Sequence, residues 1–95
     1  MKLKDQTIVI TGAASGIGHA LALRFAGESP KGLVLADLPR QAAALEELAQ
    51  GVSAGAAGRY AAPAIAVPCD VGSEAGVKAL VAAAEARFGD RKSVV

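Results

Sequence analysis

The chain has 95 residues, 53% of them hydrophobic, and 10 basic against 9 acidic side chains give a net charge of +1. Alanine fills 23 positions and Val, Leu, Ile or Phe fill 24, so a broad but shallow core is expected, in one compact domain rather than a two-domain enzyme. Charges without blocks exclude a nucleic-acid patch, and Cys69 and His19, each the single residue of its type, leave no disulfide and almost no material for zinc, which suits a reducing, cytoplasmic setting.

The start carries lysines before apolar residues, as a signal peptide does. Asp5, Gln6 and Thr7 interrupt it, and Ile8–Ile10 is far shorter than the ~7–15 apolar residues such a segment needs. No stretch approaches the ~20 apolar residues of a membrane span, so no membrane partner is expected. Thr7–Thr11 (TIVIT) reads as a strand covered on both faces and ends at Gly12. Ile17, Leu21 and Phe25 then recur at intervals of four, which predicts a helix with that stripe inward, stopping near Gly27. Gly32–Leu38 is the second strand, closed by Pro39. Gln41–Gln50 is the second helix, with Leu45, Leu48, Ala49 and Val52 facing in. Residues 51–63 hold three glycines and no period, and read as a loop. Ile65–Cys69, led in by Ala64, makes a third strand. Ser73 caps a third helix whose Val77, Leu80, Val81, Ala84 and Phe88 share a face, and Gly89 ends it. After Asp90-Arg91-Lys92, Ser93-Val94-Val95 looks like the start of a fourth strand.

Strands alternating with helices predict an α/β fold. It is a partial doubly wound, Rossmann-like three-layer sandwich, with a parallel sheet of three strands plus the start of a fourth. Right-handed crossovers place the first two helices on one face, and send the third helix across the other face to a strand beside the first. With the fourth strand only nucleated, the first lies at or near a sheet edge. The third helix stands alone on its face, so self-association or a complementing chain is expected.

The segment Thr11-Gly12-Ala13-Ala14-Ser15-Gly16-Ile17-Gly18 lies between strand and helix. Gly12 allows a sharp turn, Gly16 a close backbone approach to a ligand, and Gly18 close helix–strand packing. Free N–H groups and the helix dipole then converge where a diphosphate would sit, with Ile17 opening the helix; the alternative is an ordinary turn built of small residues. Asp37 follows 19 residues after Gly18, near the ~20 expected for an acid that accepts from ribose hydroxyls and repels a 2′-phosphate. This favours NAD over NADP. Ser15 and Leu38 offer no cation to such a phosphate, although Arg40 is near enough to keep NADP open; the alternative for Asp37 is a cap on the next helix. Asp70 and Val71, directly after the third strand, suit the adenine amino group and an apolar wall, or else a turn leading into the Ser73 cap. The cofactor-binding candidates are therefore Gly12, Ser15, Gly16, Ile17, Gly18, Asp37, Leu38, Asp70 and Val71.

TGAASGIG at Thr11–Gly18, Asp37 in LVLADL, the Cys69-Asp70-Val71 step and Phe88-Gly89 together resemble the amino-terminal half of the short-chain dehydrogenase/reductase family. The TGxxxGxG spacing differs from the GxGxxG of other dinucleotide folds. The resemblance implies an NAD(P)-dependent oxidoreductase that moves hydride between nicotinamide and an alcohol/ketone pair. In that family a strand closing with Asn-Asn-Ala-Gly follows, and later a serine, a Tyr-x-x-x-Lys pair and an asparagine serve catalysis. None of these is in this sequence: Tyr60 is followed four residues on by Ala64. The expectation is a dinucleotide-binding domain truncated before the catalytic half, with no catalytic residue and no metal ligand of its own. The alternatives are a non-catalytic nucleotide-binding module and the product of a disrupted gene.

Overall fold

The run Thr7–Thr11 forms β1 and buries both of its faces: Ile8 and Ile10 turn one way and Val9 the other. The computed structural model describes residues 6–28, 30–54, 62–89 and 92–94, the last three by their backbone. After β1 come α1 (Gly16–Ala26), β2 (Gly32–Asp37), a 3-10 turn at Pro39–Gln41, α2 (Ala42–Ala54), β3 (Ala64–Pro68), α3 (Glu74–Phe88) and β4 (Lys92–Val94). All pairings are parallel, in the order β3-β2-β1-β4, which is the predicted crossover layout. Ile8 pairs with Leu33, and Leu33 in turn with Ala64.

Two hydrophobic layers flank the sheet. Ile8, Ile10, Leu33 and Leu35 pack with Ala22, Ala26, Leu45, Leu48 and Val52 of α1 and α2. On the other side Val9, Val34 and Ala36 meet Leu80, Ala84 and Phe88 of α3. The Phe88 ring lies against Gly32, where a Cβ would overlap it, so the end of α3 is pinned to the start of β2.

Several boundaries and faces depart from expectation. The buried line of α1 is Gly18, Ala22 and Ala26, whereas Ile17 is 80% exposed and Leu21 and Phe25 are half-buried. Small residues face the sheet because α1 approaches it closely at Gly18, and the bulky stripe is turned to the flank. α2 runs four residues beyond Gln50, so Gly51–Ala54 is helix; Val52 is buried as expected. In α3 Leu80, Ala84 and Phe88 are buried, but Val77 is 43% exposed. β4 pairs with β1 over Thr7–Val9, so β1 is flanked on both sides there rather than lying at the edge. Residues 55–61, with Tyr60, and the Asp90-Arg91 connector lie outside the described residues.

Candidate functional site

At the end of β1, Gly12 adopts φ +65°, in the left-handed region that glycine enters without steric cost. The Ser15 hydroxyl closes the turn, donating to the Gly12 carbonyl at 2.6 Å and accepting from the Gly18 N–H at 3.2 Å as the N-cap of α1. The Ala13 N–H donates to the Ala36 carbonyl at 3.0 Å, and the Ser15 N–H to the Gly12 carbonyl at 3.0 Å. The N–H groups of Gly16 and Ile17, first in α1, have no acceptor among the described residues; they form the positive head of the helix.

Two glycines of this turn serve different purposes. A Cβ on Gly16 would meet nothing within 4 Å, so its backbone faces open space. On Gly18 it would overlap the Gly12 carbonyl oxygen and come within 2.7 Å of the Ala13 Cα. Gly18 therefore sets how closely α1 approaches β1, while Gly16 leaves room above the helix head.

Asp37, half-buried at the end of β2, accepts from the Ala14 N–H at 3.0 Å through Oδ2 and from the Leu38 N–H at 2.7 Å through Oδ1. The turn, Asp37 and Leu38 are thus one hydrogen-bonded unit. Asp70 and Val71 make no hydrogen bond to the turn; β3 joins the unit through the Cys69 N–H, which donates to the Asp37 carbonyl at 2.8 Å. The Asp70 carboxylate accepts from the Gly72 N–H at 2.8 Å, the turn role that was the alternative for this residue. The Ser73 hydroxyl donates to the Asp70 carbonyl at 3.1 Å and caps α3 by accepting from the Gly76 N–H at 2.9 Å, as expected. Ile17 and Val71 are exposed and leave apolar surface at this end of the sheet. Burial, and secondarily the Asp70 charge, push the Cys69 thiol up, so it stays protonated and is a poor nucleophile near neutral pH.

Sequence reasoning missed the bond between Ala14 and Asp37. No motif encodes it; its one signal is the adjacency of the first two strands, which brings the residue after one strand beside the last residue of the next. His19 is exposed and lines a cleft of about 320 Å³ between α1 and α2 with Ala44, Glu47, Leu48 and Gly51, sharing only Ala14 with the turn. Among the described residues no cluster of His, Cys, Asp and Glu could hold a metal, and no helix is long and apolar enough to cross a membrane.

The short chain dehydrogenase family profile matches residues 6–95. The short-chain dehydrogenase anuF of Penicillium roqueforti is 42% identical over 80 residues, covering 84% of this chain and 28% of that protein. Among solved structures, a short-chain dehydrogenase/reductase from Burkholderia phymatum in complex with NAD matches with a TM-score of 0.79 and 37% identity, over 94% of this chain and 29% of its own. A protein from Burkholderia cenocepacia with bound NADP matches with a TM-score of 0.75 and 30% identity, over 93% of this chain and 32% of its own. This chain spans 28%, 22% and 30% of the length of three curated relatives that it matches. Because the family match runs from the glycine turn through all three strand–helix units, the chain belongs to the short-chain dehydrogenase family of oxidoreductases.

Proposed function

We propose that these residues bind the adenosine diphosphate portion of a nicotinamide dinucleotide, NAD in preference to NADP. Hydride exchange between the nicotinamide and an alcohol/ketone pair would then use groups outside this sequence, which holds no Tyr-x-x-x-Lys pair. The observation that carries the reading is the open space over Gly16. Beneath it lie two N–H donors at a helix head, and a carboxylate is bonded to the same turn.

These residues fit a dinucleotide. The Gly16 and Ile17 N–H groups would hold the diphosphate, in the turn that Gly12, Ser15 and Gly18 shape. The Asp37 carboxylate would accept from the ribose hydroxyls and oppose a 2′-phosphate by charge. Leu38 and Val71 would flank the adenine, and Asp70 would accept from its amino group through the carboxylate oxygen not bonded to Gly72. When bound, the dinucleotide supplies the ring that exchanges hydride. The neighbours with NAD and with NADP support the ligand class, and the acid at position 37 supports the preference.

Amide NMR during titration with ADP-ribose, NAD and NADP tests the reading. Resonances from Ser15 to Gly18 should move, and NAD should bind on the order of tenfold more tightly than NADP. Gly16→Val should leave the fold intact, since a Cβ there meets nothing within 4 Å, yet weaken NAD by tenfold or more, a loss of at least about 1.4 kcal/mol. Unmoved resonances in a folded sample would refute dinucleotide binding.

A further inference from the structure

The geometry points to Asp37 as a positioning residue that couples the sugar end of the site to its phosphate end, an inference that rests on the dinucleotide reading. A carboxylate offers about four lone-pair directions. Two are taken, one by the Ala14 N–H at 3.0 Å and one by the Leu38 N–H at 2.7 Å. Those donors belong to different segments, Ala14 lying 23 residues before Asp37, so the carboxylate ties the glycine-rich turn to the end of β2. Its remaining lone pairs are those that ribose hydroxyls would take.

Ala14 lies between Gly12, which turns the chain, and Gly16, whose N–H heads α1. Its placement therefore governs where the Gly16 and Ile17 N–H groups point. The neighbouring backbone bond, from the Ala13 N–H to the Ala36 carbonyl at 3.0 Å, holds one side of the turn, and the charged acceptor at Asp37 holds the next residue. A sugar that engages Asp37 fixes this carboxylate further, and with it the phosphate-facing amides.

Charge and position make opposite predictions for a ligand without a sugar. If Asp37 acted only as a nearby negative charge, its removal would tighten an anion at the helix head, by about fivefold at most for a partly solvated charge. If it positions the turn, its removal weakens that anion. In Asp37→Asn the side chain keeps one acceptor oxygen but turns an NH₂ toward the other N–H donor, so one of the two bonds is lost.

The test is titration of the wild-type chain and Asp37→Asn with inorganic pyrophosphate, followed at the Gly16 and Ile17 amides, together with hydrogen exchange at the Ala14 amide. Asp37→Asn should weaken pyrophosphate on the order of fivefold and speed exchange at Ala14. Pyrophosphate binding to Asp37→Asn as tightly as to wild type, or more tightly, overturns the coupling and leaves the dinucleotide reading standing. If neither pyrophosphate nor ADP-ribose moves Gly16 and Ile17 in the wild type, the dinucleotide reading fails and the coupling fails with it. Should Asp37→Asn not fold, the wild-type chain alone decides. Adenosine, which carries the sugar without phosphate, should raise pyrophosphate affinity severalfold, and pyrophosphate should raise adenosine affinity by the same factor. No effect of adenosine on pyrophosphate affinity overturns the inference.

Discussion

Gly16 and Gly18 stand two residues apart on one turn, yet a methyl group would meet empty space at the first and backbone at the second. Gly18→Ala must push α1 away from β1 or distort the turn, and should cost about 1–3 kcal/mol. Gly16→Ala, in the exposed first turn of a helix, should be neutral or stabilise by about 0.4–1 kcal/mol. Urea denaturation of both variants checks this, and equal losses would contradict the assignment of Gly18 to packing. Both glycines were readable from spacing within the strand–turn–helix context. Asp37 was readable in the same way, as an acid at the end of a strand. Its bonds to Ala14 and Leu38 were not, because backbone N–H groups carry no residue signature and their pairing depends on how two strand ends lie side by side.

Among the elements, type was legible from periodicity and facing was less so. In α1 the larger side chains of Ile17, Leu21 and Phe25 suggested the inward stripe, but contact with the sheet falls on Gly18, Ala22 and Ala26. A line of small residues carries little hydropathy signal while allowing the closest approach, so volume decided against hydrophobicity. The C-terminal turn of α2 was hidden by Gly51, which weakens a helical reading without forbidding the helix. That turn also brings Ser53 to the start of β3. Its hydroxyl accepts from the Ala64 N–H at 3.1 Å and donates to the Ala64 carbonyl at 3.3 Å, satisfying backbone at the sheet edge. Ser53→Ala should therefore cost about 0.5–1.5 kcal/mol and speed amide exchange at Ala64, although Ser53 itself is exposed. Unchanged exchange at Ala64 would show that the bridge is absent in solution.

At the scale of the molecule, the described residues cover the two faces of the sheet unequally. α1 and α2 share one face, whereas among the described residues α3 alone packs on the other, against Val9, Val34 and Phe88's partner Gly32. Strand order is legible in the sequence because crossover handedness leaves few arrangements, and the same handedness puts a single helix on one face. The β3 edge is a poor template for association, since Pro68 has no N–H and Ser53 occupies Ala64. The α3 face is the better candidate, with Ile65 and Val67 half-buried beneath it and Val77 exposed. Sedimentation velocity over a concentration series should show the 95-residue chain self-associating. Val77→Lys should shift it toward monomer while changing stability by no more than about 0.5 kcal/mol, as expected of a surface substitution. A wild-type chain that stays monomeric at every concentration would mean that α3 by itself shields this face sufficiently. Association that persists in Val77→Lys would instead move the contact to the β4 edge, where three described residues pair with Thr7–Val9.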